Sequence, residues 1–476
     1  MTPVQSTSPD QACPSPASSA DRILDPAEAY FHMLDQVSTM NFVVVVERAG
    51  PLDPGRVSEA LLHLQAEEPL LRVGIALTAD ATGFRFVESP GATIPLEVAH
   101  VRVDSRGVLA AWAPWIERQL KRPFPPGSAP LARCTLLQSG AQQKACLAVT
   151  LHHSIADGRS GAEIVRRLLN RVATPVAELG PPIQRAPVPP MHSVFPSQFR
   201  WADHPGALRA AAGVLMRESA LSGQPNALPW FVKTPHTRDP RLLWTVIDGE
   251  RLMRLTASAR SRGLTVHSVL TAAQLLSQYR LLGTDQRANL LLTCPVDMRQ
   301  HSSVPVDVAP TAVYASNLYA TYAVDARTDV FTLAKQVMTR TREQAARGDA
   351  HLFFSSREVS KALAAPSDLA AFARMVANVP HGSVLSAVGL LPVVELDPEV
   401  QSISFAICSA PHHALFSAAS TYMGRMVIST AYDDNNLVPG TAERLIQLME
   451  QVLDDVAASV PAPASTNCVG SAVATS

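Results

Sequence analysis

The sequence predicts a mixed α/β fold in two halves, on three observations. Runs that read as strands alternate with runs of helical periodicity along the chain. The 476 residues exceed the usual size of one domain and leave ample apolar material for more than one core. Between residues 175 and 205 prolines cluster, as Pro181-Pro182 and Pro187-Val188-Pro189-Pro190. Such a stretch supports neither a continuous helix nor a central strand and reads as an extended linker. The expected organisation is a tail over residues 1–20, a first lobe over 21–175, the linker over 176–205, a second lobe over 206–458 and a tail over 459–476.

Taken in order, Asn41-Phe42-Val43-Val44-Val45-Val46-Glu47 is a β-branched run expected to be a buried strand. Residues 54–67 show helical periodicity behind Asp53, a suitable N-cap. The apolar run 145–151 reads as a strand, and the amphipathic run 162–169 as the helix after it. Beyond the linker come a helix over 207–221, a strand over 242–247, a helix over 265–282 and a buried strand over 289–296. A strand over 426–434 and an amphipathic helix over 439–456 close the ordered part.

Composition narrows the function classes. With 40 basic and 41 acidic residues the net charge is near zero, which points to neither nucleic acid nor an anionic membrane as partner. The Ser/Pro/Thr/Ala-rich start has neither the basic nor the apolar segment of a signal peptide, and no apolar run approaches the roughly 18 residues of a membrane span. The expected location is the cytoplasm. Six cysteines at scattered positions, Cys13, Cys134, Cys146, Cys294, Cys408 and Cys468, suit a reducing compartment better than a disulfide framework.

The stretch richest in chemistry is His152-His153-Ser154-Ile155-Ala156-Asp157-Gly158, between a strand end and a helix start. Side chains at such a junction reach into clefts. Imidazole is the side chain poised near neutral pH to take a proton, and adjacent residues at a strand end face opposite ways, so one histidine can line a cavity as a general base. Asp157 either orients an imidazole or pairs with an arginine to hold the turn. Gly158 suits a sharp turn, and the amides after it can stabilise negative charge at a helix N-terminus. No i, i+4 histidine pair and no Cys-x-x-Cys set occurs, so no metal is expected. Asp433-Asp434-Asn435-Asn436 reads as a turn, and His412-His413, which lacks a following Asp-Gly, as incidental.

The His-His-x-x-x-Asp-Gly heptad resembles the signature of the condensation domains of nonribosomal peptide synthetases and of their stand-alone acyltransferase relatives, including the polyketide-associated mycocerosyl transferases. Leu52-Asp53, Pro69-Leu70-Leu71-Arg72 and Pro130-Leu131-Ala132-Arg133 match the family's architectural segments, whereas Ala387 stands where the family often has asparagine. The Asp-Phe-Gly-Trp-Gly motif of the plant acyltransferases on this fold is absent. The resemblance implies two chloramphenicol-acetyltransferase-like lobes in a V-shaped pseudo-dimer with the active site in a tunnel between them.

It further implies His153 as general base, and His152, Asp157 and Gly158 as residues shaping the site. Arg299, in Pro295-Val296-Asp297-Met298-Arg299, is implied as the arginine paired with Asp157, and Asn317 as a substrate-positioning residue. An acyl group, polyketide or peptidyl, would arrive on the phosphopantetheine of a carrier protein acting in trans and be released onto a small alcohol or amine, with no cofactor held by the enzyme. Two alternatives remain: a coenzyme-A-dependent O-acyltransferase, and a non-catalytic recruitment platform for other enzymes.

Overall fold

The computed structural model describes residues 20–103, 107–140, 143–226, 228–232, 238–307, 311–355 and 369–459. The sequence-predicted tails, with Cys13 and Cys468, lie outside these residues except for Ala20 and Ser459.

Two sheets carry the architecture. In the first, β1 (Asn41–Ala49) pairs antiparallel with β6 (Lys144–His152), β6 with β5 (Ala132–Ser139), and β5 runs parallel to β4 (Leu96–His100). The remaining edge is taken by β11 (Val400–Ile407), a strand from the second half of the sequence, antiparallel to β1. A separate hairpin joins β2 (Val73–Leu77) to β3 (Phe84–Glu88). The second sheet has the order β7 (Pro240–Asp248), β13 (Arg425–Asp433), β12 (His413–Tyr422), β10 (Gly382–Leu390), β8 (Ala288–Asp297), β9 (Ala315–Val324). The predicted strands thus form, and the linker region contains short 3-10 turns, among them Val176–Glu178 and Met191–Val194.

The continuous apolar run of β1 reflects burial on both faces. Val43 and Val45 pack with Trp112, Ile116 and Leu120 of α3 (Val108–Lys121), while Phe42, Val44 and Val46 join the core under α2 (Pro54–Glu67) and α4 (Gly158–Ala173). This is the two-residue period of a strand with an apolar layer on each side. Asp53 caps α2 as expected, its carboxylate accepting from the Arg56 amide at 3.0 Å. In the second half, Thr265 caps α7 (Val266–Leu282) by accepting from Ser268 N at 3.1 Å, and α7 is buried almost all round between the sheet and α10 (Thr441–Ala458).

Two features weld the halves together. The edge of β11 that faces away from β1 is met by hydroxyls of the second sheet: Ser420 Oγ donates to Ile403 O at 2.9 Å and Ser429 Oγ to Phe405 O. Backbone acceptors that a further strand would otherwise satisfy are thereby paired. On the other side, Arg167 of α4 bonds both Glu67 and Glu68, and Glu68 accepts from Thr311 N and Oγ1, each at 3.0 Å. Buried carboxylates and guanidinium are tolerated here because each has charged or hydrogen-bonding partners.

Close packing between α4 and β1 rests on Gly161. A Cβ there would lie 2.8 Å from Phe42 Cε2 and 2.9 Å from Val44 Cγ2. Gly161→Ala is therefore expected to lower stability by about 1–3 kcal/mol through overpacking, read as a lower urea midpoint with an unchanged slope.

Candidate active site

The heptad occupies the turn from β6 to α4. β6 ends at His152, and the His153 amide donates to Met40 O at 3.1 Å. The two imidazoles face apart, as adjacent residues at a strand end must. His152 is buried and accepts from Ser154 N through Nδ1 at 3.0 Å, which leaves the proton on Nε2, 3.5 Å from Asp35 Oδ2. Asp35 is itself held by the Met40 amide at 2.6 Å. His152 thus braces the turn from behind.

His153 lines a cavity between the two halves, shared with Asn317 and Gly158. Its ring stacks on Phe31 at 4.0 Å with 6° between the planes and lies 5.2 Å from Phe42. Burial pulls its pKa down to about 4, against the opposing pull of backbone groups of His153 and Ala156 and of the Asp157 carboxylate. The imidazole is accordingly neutral at ordinary pH and able to accept a proton.

Of the two roles open to Asp157, the structure has the arginine pair. Arg299 Nη1 donates to Oδ2 at 2.8 Å and Nη2 to Oδ1 at 3.2 Å, while Tyr314 N reaches Oδ2 at 2.8 Å and Ser160 N reaches Oδ1 at 2.9 Å. His153 is not among these donors. Burial would raise the carboxyl, but the charge and hydrogen bonds of Arg299, with the two amides, outweigh it and hold Asp157 below its usual value of 3.8. Arg299 also bonds Ser160 Oγ at 2.7 Å and Asp297 at 3.1 Å, with its guanidinium 4.9 Å from the Tyr314 ring centre.

This arrangement corrects two expectations. Asp157 is the N-cap of α4, so the amides of Ser160 and Gly161 are spent on its side chain and carbonyl and do not face an anion in the cavity. Gly158 has no left-handed backbone conformation and makes no sharp turn. A Cβ there would make ordinary contact with Val388 Cγ2 at 3.4 Å.

Asn317, on β9, lines the cavity with Tyr319, whose phenol burial pushes up to about 12 despite a hydrogen bond with the Asn317 side chain. Ala387 is not a lining residue; Ser386 and Val388 are. A third correction concerns His412 and His413, read as incidental from the sequence: both line this cavity. Tyr30 and Phe31 line it as well, from α1 (Pro26–Val37), a helix not anticipated. The signal for it was present, since Asp25-Pro26-x-Glu28 is a capping box with proline at the first helical position. Cys134, Cys146, Cys294 and Cys408 are free and buried, and burial raises their thiols, Cys134 and Cys294 to about 12. Among the described residues no three His, Cys, Asp or Glu side chains converge to hold a metal ion, and no helix is long and apolar enough to cross a membrane.

Residues 28–183, which contain the His153 turn, match the condensation domain family, and residues 245–432, which contain Arg299 and Asn317, match the phthiocerol/phthiodiolone dimycocerosyl transferase C-terminus family. Both matches are consistent with the condensation-domain superfamily. Among its relatives are phthiocerol/phthiodiolone dimycocerosyl transferases of Mycobacterium tuberculosis (strain H37Rv) and Mycobacterium bovis (strain BCG / Pasteur 1173P2), each 30% identical over 220 residues, covering 45% of this chain and 49% of the relative. The chain thus spans about half the length of the curated relatives it matches. In fold, the chain is similar to polyketide synthase associated protein 5 from Mycobacterium tuberculosis, with TM-score 0.63, 17% identity and coverage of 92% and 99% of the two chains. It is also similar to the first condensation domain of the calcium-dependent antibiotic synthetase, with TM-score 0.69, 15% identity and coverage of 93% and 98%. A two-lobed fold like that of these structures accounts for the paired sheets and the cavity between them.

Removing the charge of Asp157 leaves the buried Arg299 with an uncharged partner in its place and only the more exposed Asp297 as a charged one. Asp157→Asn is expected to cost about 3–5 kcal/mol of stability near neutral pH. Because the folded carboxyl lies below 3.8, this contribution is complete above that value and fades as pH falls through the folded pKa. Urea midpoints of wild type and Asp157→Asn should therefore converge in acid.

Proposed function

We propose that this chain is an acyltransferase that moves an acyl group from a phosphopantetheine thioester on a carrier protein to the hydroxyl or amine of a small acceptor, with His153 as general base. The observation that carries the reading is a neutral, buried imidazole on an otherwise largely apolar cavity formed by both halves, with Asp157 committed to Arg299. The names of the mycobacterial relatives, as transferases, support the reaction class. Their printed acceptors are not carried over.

In this reading His153 takes the proton of the acceptor O–H or N–H as that atom attacks the thioester carbonyl carbon. The tetrahedral adduct collapses with cleavage of the C–S bond, and the imidazolium returns the proton to the departing thiolate, giving an ester or amide and a free thiol. Every group needed for the proton movement belongs to His153, and the apolar walls supplied by Phe31, Phe42 and Phe405 suit an acyl chain and exclude water from the thioester. The Asp157–Arg299 pair holds the turn that aims the imidazole and takes no proton itself.

Intact-mass spectrometry of an acyl-loaded carrier protein, incubated with the enzyme and a panel of small alcohols and amines, tests this directly. Loss of the acyl group with appearance of the ester or amide is expected, and His153→Ala should lower the rate by about 10²–10⁴-fold. Turnover of acyl-coenzyme A with no transfer from loaded carriers would replace the donor, and no transfer from either would point to a recruitment platform.

The pH profile is a second test. A base with pKa about 4 stays neutral down to that value, so kcat/KM should lose its acidic limb near pH 4 instead of near the ordinary 6.5 of histidine.

A further inference from the structure

Attack of an acceptor on a thioester turns the carbonyl oxygen into an oxyanion, and donors placed for that charge are usually the largest single contribution to such a reaction. The start of α4 does not supply them, because the Ser160 and Gly161 amides bond the Asp157 side chain and carbonyl at 2.9 and 2.8 Å. A donor has to come from elsewhere on the cavity wall.

Tyr30, on α1, has the required attributes. It lines the cavity together with His153, and Phe31, its neighbour in the chain, stacks on the His153 ring. Ring centres are 6.0 Å apart from Tyr30 to Phe31 and 4.0 Å from Phe31 to His153, so the phenol and imidazole centres lie no more than 10.0 Å apart. A bent path of two hydrogen bonds of about 2.8 Å each, with the attacking atom, the carbonyl carbon and its oxygen between them, fits that interval. The phenol is also fixed in place, with Phe353 at 5.1 Å and Phe372 at 5.6 Å meeting it edge-on.

The Tyr30 hydroxyl has no hydrogen-bond partner among the described residues, and it is not one of the sealed wall atoms, as the ring nitrogens of His413 are. Across the cavity the Tyr319 phenol of β9 is near enough to add to burial in raising the ionisation of Tyr30 above its usual 10, so the O–H stays in place. The other polar wall groups suit the task less well. Tyr319 shares a hydrogen bond with Asn317, and Cys408 has Arg238 within 3.8 Å. An aliphatic hydroxyl, as on Thr293 and Ser386 of the second sheet, is a weaker acid than a phenol and a weaker donor to developing negative charge.

Resting on the acyl-transfer reading of the cavity, we propose that Tyr30 is a catalytic residue whose hydroxyl donates a hydrogen bond to the thioester carbonyl oxygen as it becomes the oxyanion of the tetrahedral adduct. The acceptor proton goes to His153, the new C–O or C–N bond forms, and the carbonyl π pair moves onto the oxygen that Tyr30 holds. When the C–S bond breaks, that pair returns to the carbonyl and the imidazolium proton passes to the thiolate. Tyr30 keeps its own proton throughout.

The test is the single-turnover rate of acyl transfer from a loaded carrier protein, followed by intact-mass spectrometry of quenched samples. It compares wild type, Tyr30→Phe and the full chain with Tyr30 replaced by 3,5-difluorotyrosine. Tyr30→Phe is expected to lower the rate about 10²-fold, the loss typical of one oxyanion donor. Its Kd for the loaded carrier should be unchanged and, because the hydroxyl bonds nothing in the protein, so should its urea midpoint. The difluorinated phenol keeps ring and hydroxyl but is more acidic. Its rate should match or exceed wild type in the neutral range and fall at a lower alkaline pH, where the phenolate no longer donates. A packing role would not move that limb. A wild-type rate in Tyr30→Phe while His153→Ala loses activity would overturn the role of Tyr30 and leave acyl transfer standing, as would an alkaline limb that the fluorines do not move. No transfer by wild type from a loaded carrier or from acyl-coenzyme A would remove the acyl-transfer reading and the role of Tyr30 with it.

Discussion

The bidentate pair between Asp157 and Arg299 is the interaction on which the site depends. It joins residues 142 positions apart, one at the cap of α4 and one just beyond the end of β8, and it is reinforced on the carboxylate side by two backbone amides. Buried charge is costly unless it is paired and hydrogen-bonded, and here four donors meet one carboxylate while the two terminal nitrogens of the guanidinium also reach Asp297 and Ser160. The pair fixes the turn between β6 and α4 relative to the sheet of the second half. His153 stands in that turn, so its position relative to Asn317 and the cavity walls is set by the same lock.

The consequence for reactivity differs from that of a catalytic triad. An aspartate bonded to an imidazole orients it and stabilises its protonated form. In this protein the aspartate is turned toward arginine and amides, and the imidazole is left stacked on Phe31 with Phe42 tilted against it. Burial then dominates, and the neutral form of His153 is favoured far more than its protonated form. His152, facing the other way, has the carboxylate partner, Asp35, that His153 lacks. One dipeptide therefore supplies a brace and a candidate base, distinguished only by which side of the strand each residue faces.

Much of the architecture was legible because it depends on local pattern. The β-branched run 42–46, the capped helix at 54–67 and the long apolar helix after Thr265 are elements whose periodicity and end signals agree, and each formed within a residue or two of its expected bounds. The motif pointed to His153, Asp157 and Arg299 through resemblance, and the bonding between the last two is present in the fold. Less legible were the elements without a strong period. α1 was announced only by its capping box, and α3 carries an internal proline, Pro114. His413 was passed over because a histidine pair with no motif around it is indistinguishable in sequence from a surface pair.

By itself the sequence determined the alternation of strands and helices and the identity of a histidine turn at a strand end, since both are set by neighbours in the chain. What only the tertiary structure decided are relations between distant residues. β11 leaves the second half to complete the first sheet, because its apolar residues find a paired edge on β1 and its outer carbonyls find serine hydroxyls. Asp157 chose arginine over imidazole because the two donors of Arg299 and the amide of Tyr314 arrive from across the lobe boundary. The same long-range packing brought His413 to the wall of the cavity that His153 faces, a juxtaposition of residues 260 positions apart that no local pattern encodes.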